Sequence, residues 1–317
     1  MKIKILLCAL ALLTSGSGLV NAADGWASVN GNTTGGAGGT TVTATTATAF
    51  KNYCTSNGPL IIQVSGTLDM GSTSAKVTQP NKTIIGLSAT AKILGNLELN
   101  AVSNVIVTNL NFTNPNNTGG GDGITSQTGS HHIWITHCAF VDCADGEIDP
   151  TKQSDYVTVS WCKFSYTRDA GHNFVNLIGS ADTDTADRGK LQETWHHNWW
   201  STLCKERMPR VRFGKVHTYN NYYAAAANNY NIGVGCESQI LIENNYFDSQ
   251  SNPWKNYSSS CVQGLIHTNA GNVFVSTTIP TWAPQSTIFT PPYSYTLDTA
   301  ATAKTAITDA VTGAGPH

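Results

Sequence analysis

Between Asp142 and Asp149 the chain places Asp142, Asp145, Glu147 and Asp149 with no base among them, although only 12% of its residues are charged. Between Lys205 and Lys215 it places Lys205, Arg207, Arg210, Arg212 and Lys215 against the single acid Glu206. Grouped carboxylates repel, and they tolerate one another best around a hard cation; calcium takes six to eight oxygens at about 2.3–2.6 Å. On a fully extended strand Asp145 and Asp149 lie about 13 Å apart. One ion can therefore take both only if the chain bends, and Gly146 stands where it could supply the bend. Asp122, in the glycine-rich run Gly119–Gly123, is the third candidate ligand. Taken singly, each acid is also an ordinary loop residue, and the basic run could be a charged outer face or a nucleic-acid patch. The formal net charge of -2 argues against the nucleic-acid reading.

What positions these clusters is a repeat. An apolar, β-branched stretch followed by a polar or small triplet and an aromatic recurs as VIVTNLNF, IWITHCAF, VTVSWCKF, ETWHHNWW, VHTYNNYY and ILIENNYF. The closing aromatics are Phe112, Phe140, Phe164, Trp200, Tyr223 and Phe247, at a period near the low twenties with insertions. The stretches alternate at period two and carry Val, Ile, Thr, Tyr and Trp, so they read as strands rather than helices. Short strands at this period suit a parallel β-solenoid, in which each coil stacks on the last. Asn198, Asn221 and Asn245 share one register in successive coils, where their side chains can hydrogen-bond up the stack. Cys138 and Cys162 hold the same register in two earlier coils, within disulfide range or as free buried thiols. An antiparallel sandwich would need frequent hairpin turns, which are scarce. The acidic and basic clusters lie about two coils apart and can line one groove, roughly 10–15 Å from each other.

The ends read as caps. Residues 45–56 suggest a helix covering the open end of the solenoid, followed by a strand over 60–64. From about Ile279 the repeat fades into a Pro-containing loop and a helix-like stretch over 298–311, expected to pack back on the barrel. Lys2 and Lys4, the apolar run 5–13 and the small-residue stretch ending at Ala22 read as a secretory signal cut after Ala22. One domain over 23–317, secretion and a monomer are expected. Beyond the N-terminus no run of about 18 apolar residues appears, so no membrane span is expected. Removing Cys8 leaves an odd number of cysteines in a compartment that permits disulfides.

The stretches IWITHCAF, DGEIDPTKQSDYVTVSWCKFS, LIGS, HHNWW, RMPRVRFGKVHTYNNYY and ILIENNYF resemble polysaccharide lyase family 1, the pectate lyases, in order over most of residues 60–270. The Arg-x-Pro-x-x-Arg element inside RMPRVRFG is the specific part. The resemblance implies an all-β, right-handed parallel β-helix and Ca2+-dependent cleavage of polygalacturonate by β-elimination. By motif, it implies that Asp122, Asp145 and Asp149 bind calcium, and that Arg207 is the catalytic base. Arg212 would then grip a substrate carboxylate, with Pro209 shaping the turn. Calcium bridging the acids and the substrate carboxylate would neutralise the charge that develops when the C5 proton leaves. An arginine base must be freed of its proton, which implies an alkaline optimum.

Two positions depart from that pattern. Phe174 stands where the family carries a substrate-binding lysine, and Thr136 where it carries an aspartate. The first leaves room for partly methylated pectin, with Lys152, Lys205 or Arg168 as compensating substrate contacts. His137, His196 and His197 are read as packing residues. The rival functions are a pectin lyase acting on methyl esters without metal, a non-catalytic polysaccharide-binding solenoid, and a glycoside hydrolase, which would use paired carboxylates without the basic run. Asp145 and Asp149 speak against the first; the acids combined with Arg207, Pro209 and Arg212 speak against the other two. Finally, Cys236 and Cys261 each precede an asparagine, Asn244 and Asn269, by the same interval. That puts them on neighbouring coils in one register, and a disulfide between them is expected.

Overall fold

The computed structural model describes residues 22–282 and 287–317, so the signal sequence read over 1–22 lies, but for Ala22, outside the described residues. Every strand pairing is parallel, as the solenoid reading requires. The strands stack into three long faces. The first sheet has ten strands, from Thr40–Ala44 to Leu265–Thr268, and the second has nine, from Thr67–Asp69 to Val273–Val275. The third face is made of two four-stranded sheets, Ala75–Val77 to Ile148–Pro150 and Leu177–Ile178 to Trp254–Tyr257, joined by a parallel bridge between Ile148 and Asn176.

The eight-residue repeat differs from expectation in one respect. It is not one strand but two, belonging to the first and second sheets and separated by a corner: Ser103–Thr108 then Asn111–Thr113, or His131–Thr136 then Ala139–Val141. At each corner one residue sits in the left-handed region: Asn109, His137, Trp161, His197, Asn220 and Asn244, with φ between 49° and 56°. That conformation is uncommon for a residue with a Cβ, and asparagine and histidine are among those that tolerate it best. Three of these residues stack as rings, His137 on Trp161 at 5.8 Å and Trp161 on His197 at 4.4 Å between centroids. The histidines here are packing residues, as expected.

Inside the corner runs the asparagine ladder. Asn198 Nδ2 donates to Asn221 Oδ1 at 3.1 Å, Asn221 Nδ2 to Asn245 Oδ1 at 3.0 Å, and Asn245 Nδ2 to Asn272 Oδ1 at 3.3 Å. All three amides are buried, where an unpaired amide would be costly. Cys162 continues the register, its N–H donating to Asn198 Oδ1 at 3.0 Å, and both Cys138 and Cys162 are free, buried thiols. Next to the ladder the closing aromatics form one column, Phe112, Phe140, Phe164, Trp200, Tyr223, Phe247 and Phe274, with neighbouring centroids 4.5–5.4 Å apart. Each such pair adds about 0.5–1.5 kcal/mol beyond its buried area.

Helix α1, Ala47–Thr55, caps the open end. Thr46 accepts from the Ala49 N–H at 3.2 Å, fixing the start, and Phe50 and Cys54, one turn apart, enter the core. The strand Leu60–Val64 follows as expected. Helix α2, Ala300–Ile307, is shorter than the 298–311 expected; Thr299 caps it and Ala303 and Ile307 pack on Tyr222. The tail before it lies on the first sheet, where Tyr293 Oη is 2.9 Å from His217 Nδ1. Among the described residues no helix is long and apolar enough to cross a membrane.

Cys236 and Cys261 form a disulfide with Cα atoms 5.6 Å apart, closing a separation of 25 residues. A loop of that size adds about 3 kcal/mol through the unfolded chain. Replacing both cysteines by alanine is therefore expected to lower stability by about that amount in denaturant titration; a change below about 0.5 kcal/mol would mean that the bond only decorates the coil.

Candidate active site

The third face carries the site. In the strand Ile148–Pro150, Ile148 enters the core, so Asp149 points outward; in Arg210–Val211, Val211 enters and Arg210 points outward. Register aligns an outward row across the sheet. Thr125 pairs with Asp149, Leu177 with Arg210, Arg210 with Gly233, and Gly233 with Lys255, while the Ile148–Asn176 bridge sets Asp149 beside Leu177. Asp149 and Arg210 are thus two coils apart, about 10 Å.

The loops that enter these strands bring the remaining groups to one edge of the row. The loop before Ile124–Gln127 holds Asp122, the loop before Ile148–Pro150 holds Asp145, and the loop before Leu177–Ile178 holds His172 and Phe174. Arg207 and Lys205 come from the loop before Arg210–Val211. Backbone bonds lock the first two loops together: the Gly123 N–H donates to Gly146 O at 3.1 Å and the Asp145 N–H to Gly121 O at 3.3 Å. Asp122 Oδ1 accepts from the Gly146 N–H at 2.9 Å, and its Oδ2 accepts from Thr125 at 2.9 Å. Asp149 Oδ1 accepts from the Leu177 N–H at 2.9 Å, and Asp145 Oδ1 lies 2.7 Å from His172 Nε2.

Gly146 acts differently from expectation. Its φ is not positive; the left-handed residues of the two loops are Asn117, Gly119, Gly120 and Gly121 in the first and Asp142 in the second. Gly146 matters because the Asp149 carboxylate occupies the space a Cβ would need. Gly146→Ala is expected to push Asp149 aside and cost about 1–3 kcal/mol of stability. Thermal unfolding reads the effect, and an unchanged melting temperature would mean that the Asp149 carboxylate moves away without cost.

Electrostatics single out the same residues. Burial first, then the Asp145 charge, pushes Asp122 up to about 6, against the Gly146 N–H, Thr125 and Arg207, which hold it down. Burial and then Asp122 raise Asp149 well above the usual carboxylate range, with the Leu177 N–H and Arg207 opposing. The donors are all carboxylate oxygens, the Asp149 carboxylate fills the space beside Gly146 where a Cβ would sit, and burial, with the neighbouring carboxylates second, raises two of the three acids. These features fit a hard divalent cation such as calcium. The three acids do not bring one oxygen each within 4.8 Å of one another, and Asp145 is hydrogen-bonded to His172 instead.

Arg207 faces this group from the next loops. It sits at φ 60°, its carbonyl accepts from the Asn176 N–H at 2.7 Å, and its Nε is buried without a hydrogen-bond partner among the described residues. No carboxylate pairs with it there. Its guanidinium carbon lies 4.7 Å from the centre of the Phe174 ring, which in turn is 4.0 Å from that of His172.

The other sequence candidates sit differently. Lys205 stays on this edge but is tied to Asp169 at 3.4 Å and to Ala227 O at 3.3 Å. Lys152 and Arg212 leave their strands at the opposite edge. Lys152 is exposed and donates to Gln127 at 3.1 Å. Arg212 is buried, its Nε donating to Asp182 and its Nη1 to Gly179 O at 2.9 Å. The sequence reading missed Asp182 and His172 as partners of site residues. Both follow or sit within stretches already singled out, LIGS and the segment around Phe174, but only folding shows which charged group each one meets.

A pectate lyase family model matches residues 3–316. A pectate trisaccharide-lyase of Bacillus licheniformis is 34% identical over 290 residues, 86% of this chain and 81% of that protein. One from Thermotoga sp. (strain RQ2) is 36% identical over 200 residues, 61% of this chain, and the match spans only 53% of that protein's length. In structure the chain is similar to a pectate lyase from Bacillus sp. N165 solved in complex with trigalacturonate, with a TM-score of 0.80, 28% identity, and coverage of 93% of this chain and 98% of that one.

Proposed function

Because the chain belongs to the pectate lyase family, we propose that it is a secreted, calcium-dependent lyase that cleaves α-1,4-polygalacturonate by β-elimination and releases unsaturated oligogalacturonates. The observation that carries this reading is Arg207, which pairs with no carboxylate among the described residues and faces the buried Asp122 and Asp149 on one sheet edge. Asp122, Asp145 and Asp149 hold the ion. When bound, calcium neutralises the charge that develops on the substrate carboxylate as the neighbouring proton departs. Arg207 takes the proton from C5; the C–H pair forms the C4–C5 double bond, the C4–O4 bond breaks, and the leaving oxygen takes up a proton. The Asn176 N–H and the packing of the side chain on Phe174 hold Arg207 in place. The outward row from Thr125 to Lys255 is the floor on which the polysaccharide lies. The test is the ultraviolet absorbance of the unsaturated uronate formed from polygalacturonate, with calcium and with a chelator. No absorbance with calcium present would defeat the proposal, and full activity in the chelator would defeat its calcium part.

A further inference from the structure

We propose that Arg210 and Lys255, which converge on the Tyr257 ring from two different coils, clasp the carboxylate of a galacturonate unit bound beyond the one that loses its proton. The clasp rests on the lyase reading above and names the length of chain that the site is built to hold.

The outward row of the third face is asymmetric in charge. At its early end Lys76 and Glu98 stand in register and neutralise each other at 2.9 Å, and Glu98 also accepts from Asn100 and Gln127. At its late end Arg210, Gly233 and Lys255 stand in register on three successive coils. Neither of these two cations pairs with a carboxylate among the described residues. A polyanion laid along the row therefore meets unanswered positive charge on the Arg210 side.

Two free cations would ordinarily turn apart into water. These two turn toward each other. Arg210 leans across the intervening coil, where a Cβ on Gly233 would lie only 2.8 Å from Arg210 Cγ and 3.0 Å from the Tyr230 ring. Its guanidinium carbon is 4.2 Å from the centre of the Tyr257 ring, and Lys255 Nζ is 5.3 Å from the same centre. Arg210 Nε is buried without a hydrogen-bond partner, so packing rather than a polar contact fixes this side chain. Burial first, then the charges of Arg212 and Arg207, hold the Arg210 guanidinium below the ordinary arginine range. The aromatic face relieves part of that crowding, and an anion between the two cations relieves more.

A galacturonan carries a carboxylate on every unit. The guanidinium can take such a group through two N–H bonds, and the ammonium adds a point charge from the other side. Because packing already holds Arg210 in place, little freedom is lost when the carboxylate arrives. Lys255 stands two coils from Arg210, about 10 Å along the row. The unit held between them is therefore a further one of the same chain, not the unit at Arg207.

The experiment measures kcat/KM on saturated oligogalacturonates of rising length, from three units to the polymer, at saturating calcium. The variants are Lys255→Ala, Lys255→Arg and Arg210→Met, which keeps a stem over Gly233. Lys92→Ala, on the second sheet, controls for the loss of one positive charge. Wild type is expected to show a step of about ten-fold or more at the length that first reaches the clasp, carried mainly by KM. Lys255→Ala and Arg210→Met should each flatten that step about ten-fold, and Lys255→Arg should keep it to within about three-fold. Added salt should flatten it in wild type as well. Circular dichroism establishes that Arg210→Met is folded; if it is not, Arg210→Gln takes its place with the same expected direction. A wild type without a length step, or variants whose profile matches Lys92→Ala, overturns the clasp while leaving the lyase intact. Absence of unsaturated product at every length overturns the lyase reading itself.

Discussion

Arg207→Ala is expected to lower kcat about a thousand-fold or more while leaving KM nearly unchanged. A positioned base contributes about 10²–10⁴-fold, and an interaction made mainly in the transition state does not show in ground-state binding. Here the loss should be near the upper end, because the two other basic candidates of the run are engaged. Lys205 is tied to Asp169 and the Ala227 carbonyl, and Arg212 leaves the sheet at the opposite edge in an ion pair with Asp182. Arg207→Lys should keep a small residual rate with its optimum moved to lower pH, lysine being the weaker base. Arg212→Ala should behave differently and raise KM as well as lower kcat, since it also frees Asp182 and the Gly179 carbonyl. The measurement is a pH–rate profile for all three variants beside wild type with calcium saturating. If Arg207→Ala keeps even a tenth of the wild-type turnover, a loss of only about 1.4 kcal/mol, it is not the base.

The fold was legible because a solenoid writes its period into the chain. Aromatics such as Phe140 and Phe164 and amides such as Asn221 and Asn245 recur at the interval of one coil, since each must lie over its counterpart to stay buried and paired. The disulfide was legible for the same reason: Cys236 and Cys261 share a register. What escaped was the corner inside each repeat. A left-handed residue at His137 or Trp161 turns the chain from one sheet to the next without interrupting the pattern of side chains, so the composition of IWITHCAF or VTVSWCKF does not betray it. At the site, charge clustering drew the eye to residues 142–149 and 205–215, and the resemblance to Asp122, Asp145, Asp149 and Arg207, which the loops place on one edge of the third face. Neither said who neutralises whom. That Asp182 takes Arg212, and that Phe174 lies against Arg207, depends on loops of unequal length folding over one another, and no period fixes those.

Asp149→Asn is expected to reduce calcium affinity about a hundred-fold, and the pH dependence of stability should show why. The amide keeps an oxygen to accept from the Leu177 N–H, so the variant tests the charge rather than the hydrogen bond. In the calcium-free protein Asp122 is held up to about 6, chiefly by burial, and Asp149 is raised as well, by burial and by Asp122. A carboxyl whose folded pKa lies above its unfolded value of about 4 loses its proton first in the unfolded chain, so these groups cost stability as pH rises through that interval. Without calcium, their contribution should therefore be less favourable at about pH 8 than at about pH 5. A bound cation favours the ionised acids and reverses the sign, so calcium should raise the melting temperature more at the higher pH. Asn at 149 removes one of the crowded charges. It should stabilise the calcium-free protein in alkaline solution and at the same time abolish most of the calcium-induced rise. Because the core is an apolar, stacked column away from these loops, a chelator should lower the wild-type melting temperature without unfolding it at room temperature. Titration calorimetry and thermal scans at both pH values, with and without calcium, carry the test. A variant that binds calcium as wild type does, or a wild type whose melting temperature is indifferent to calcium at the higher pH, would place the ion elsewhere on the molecule.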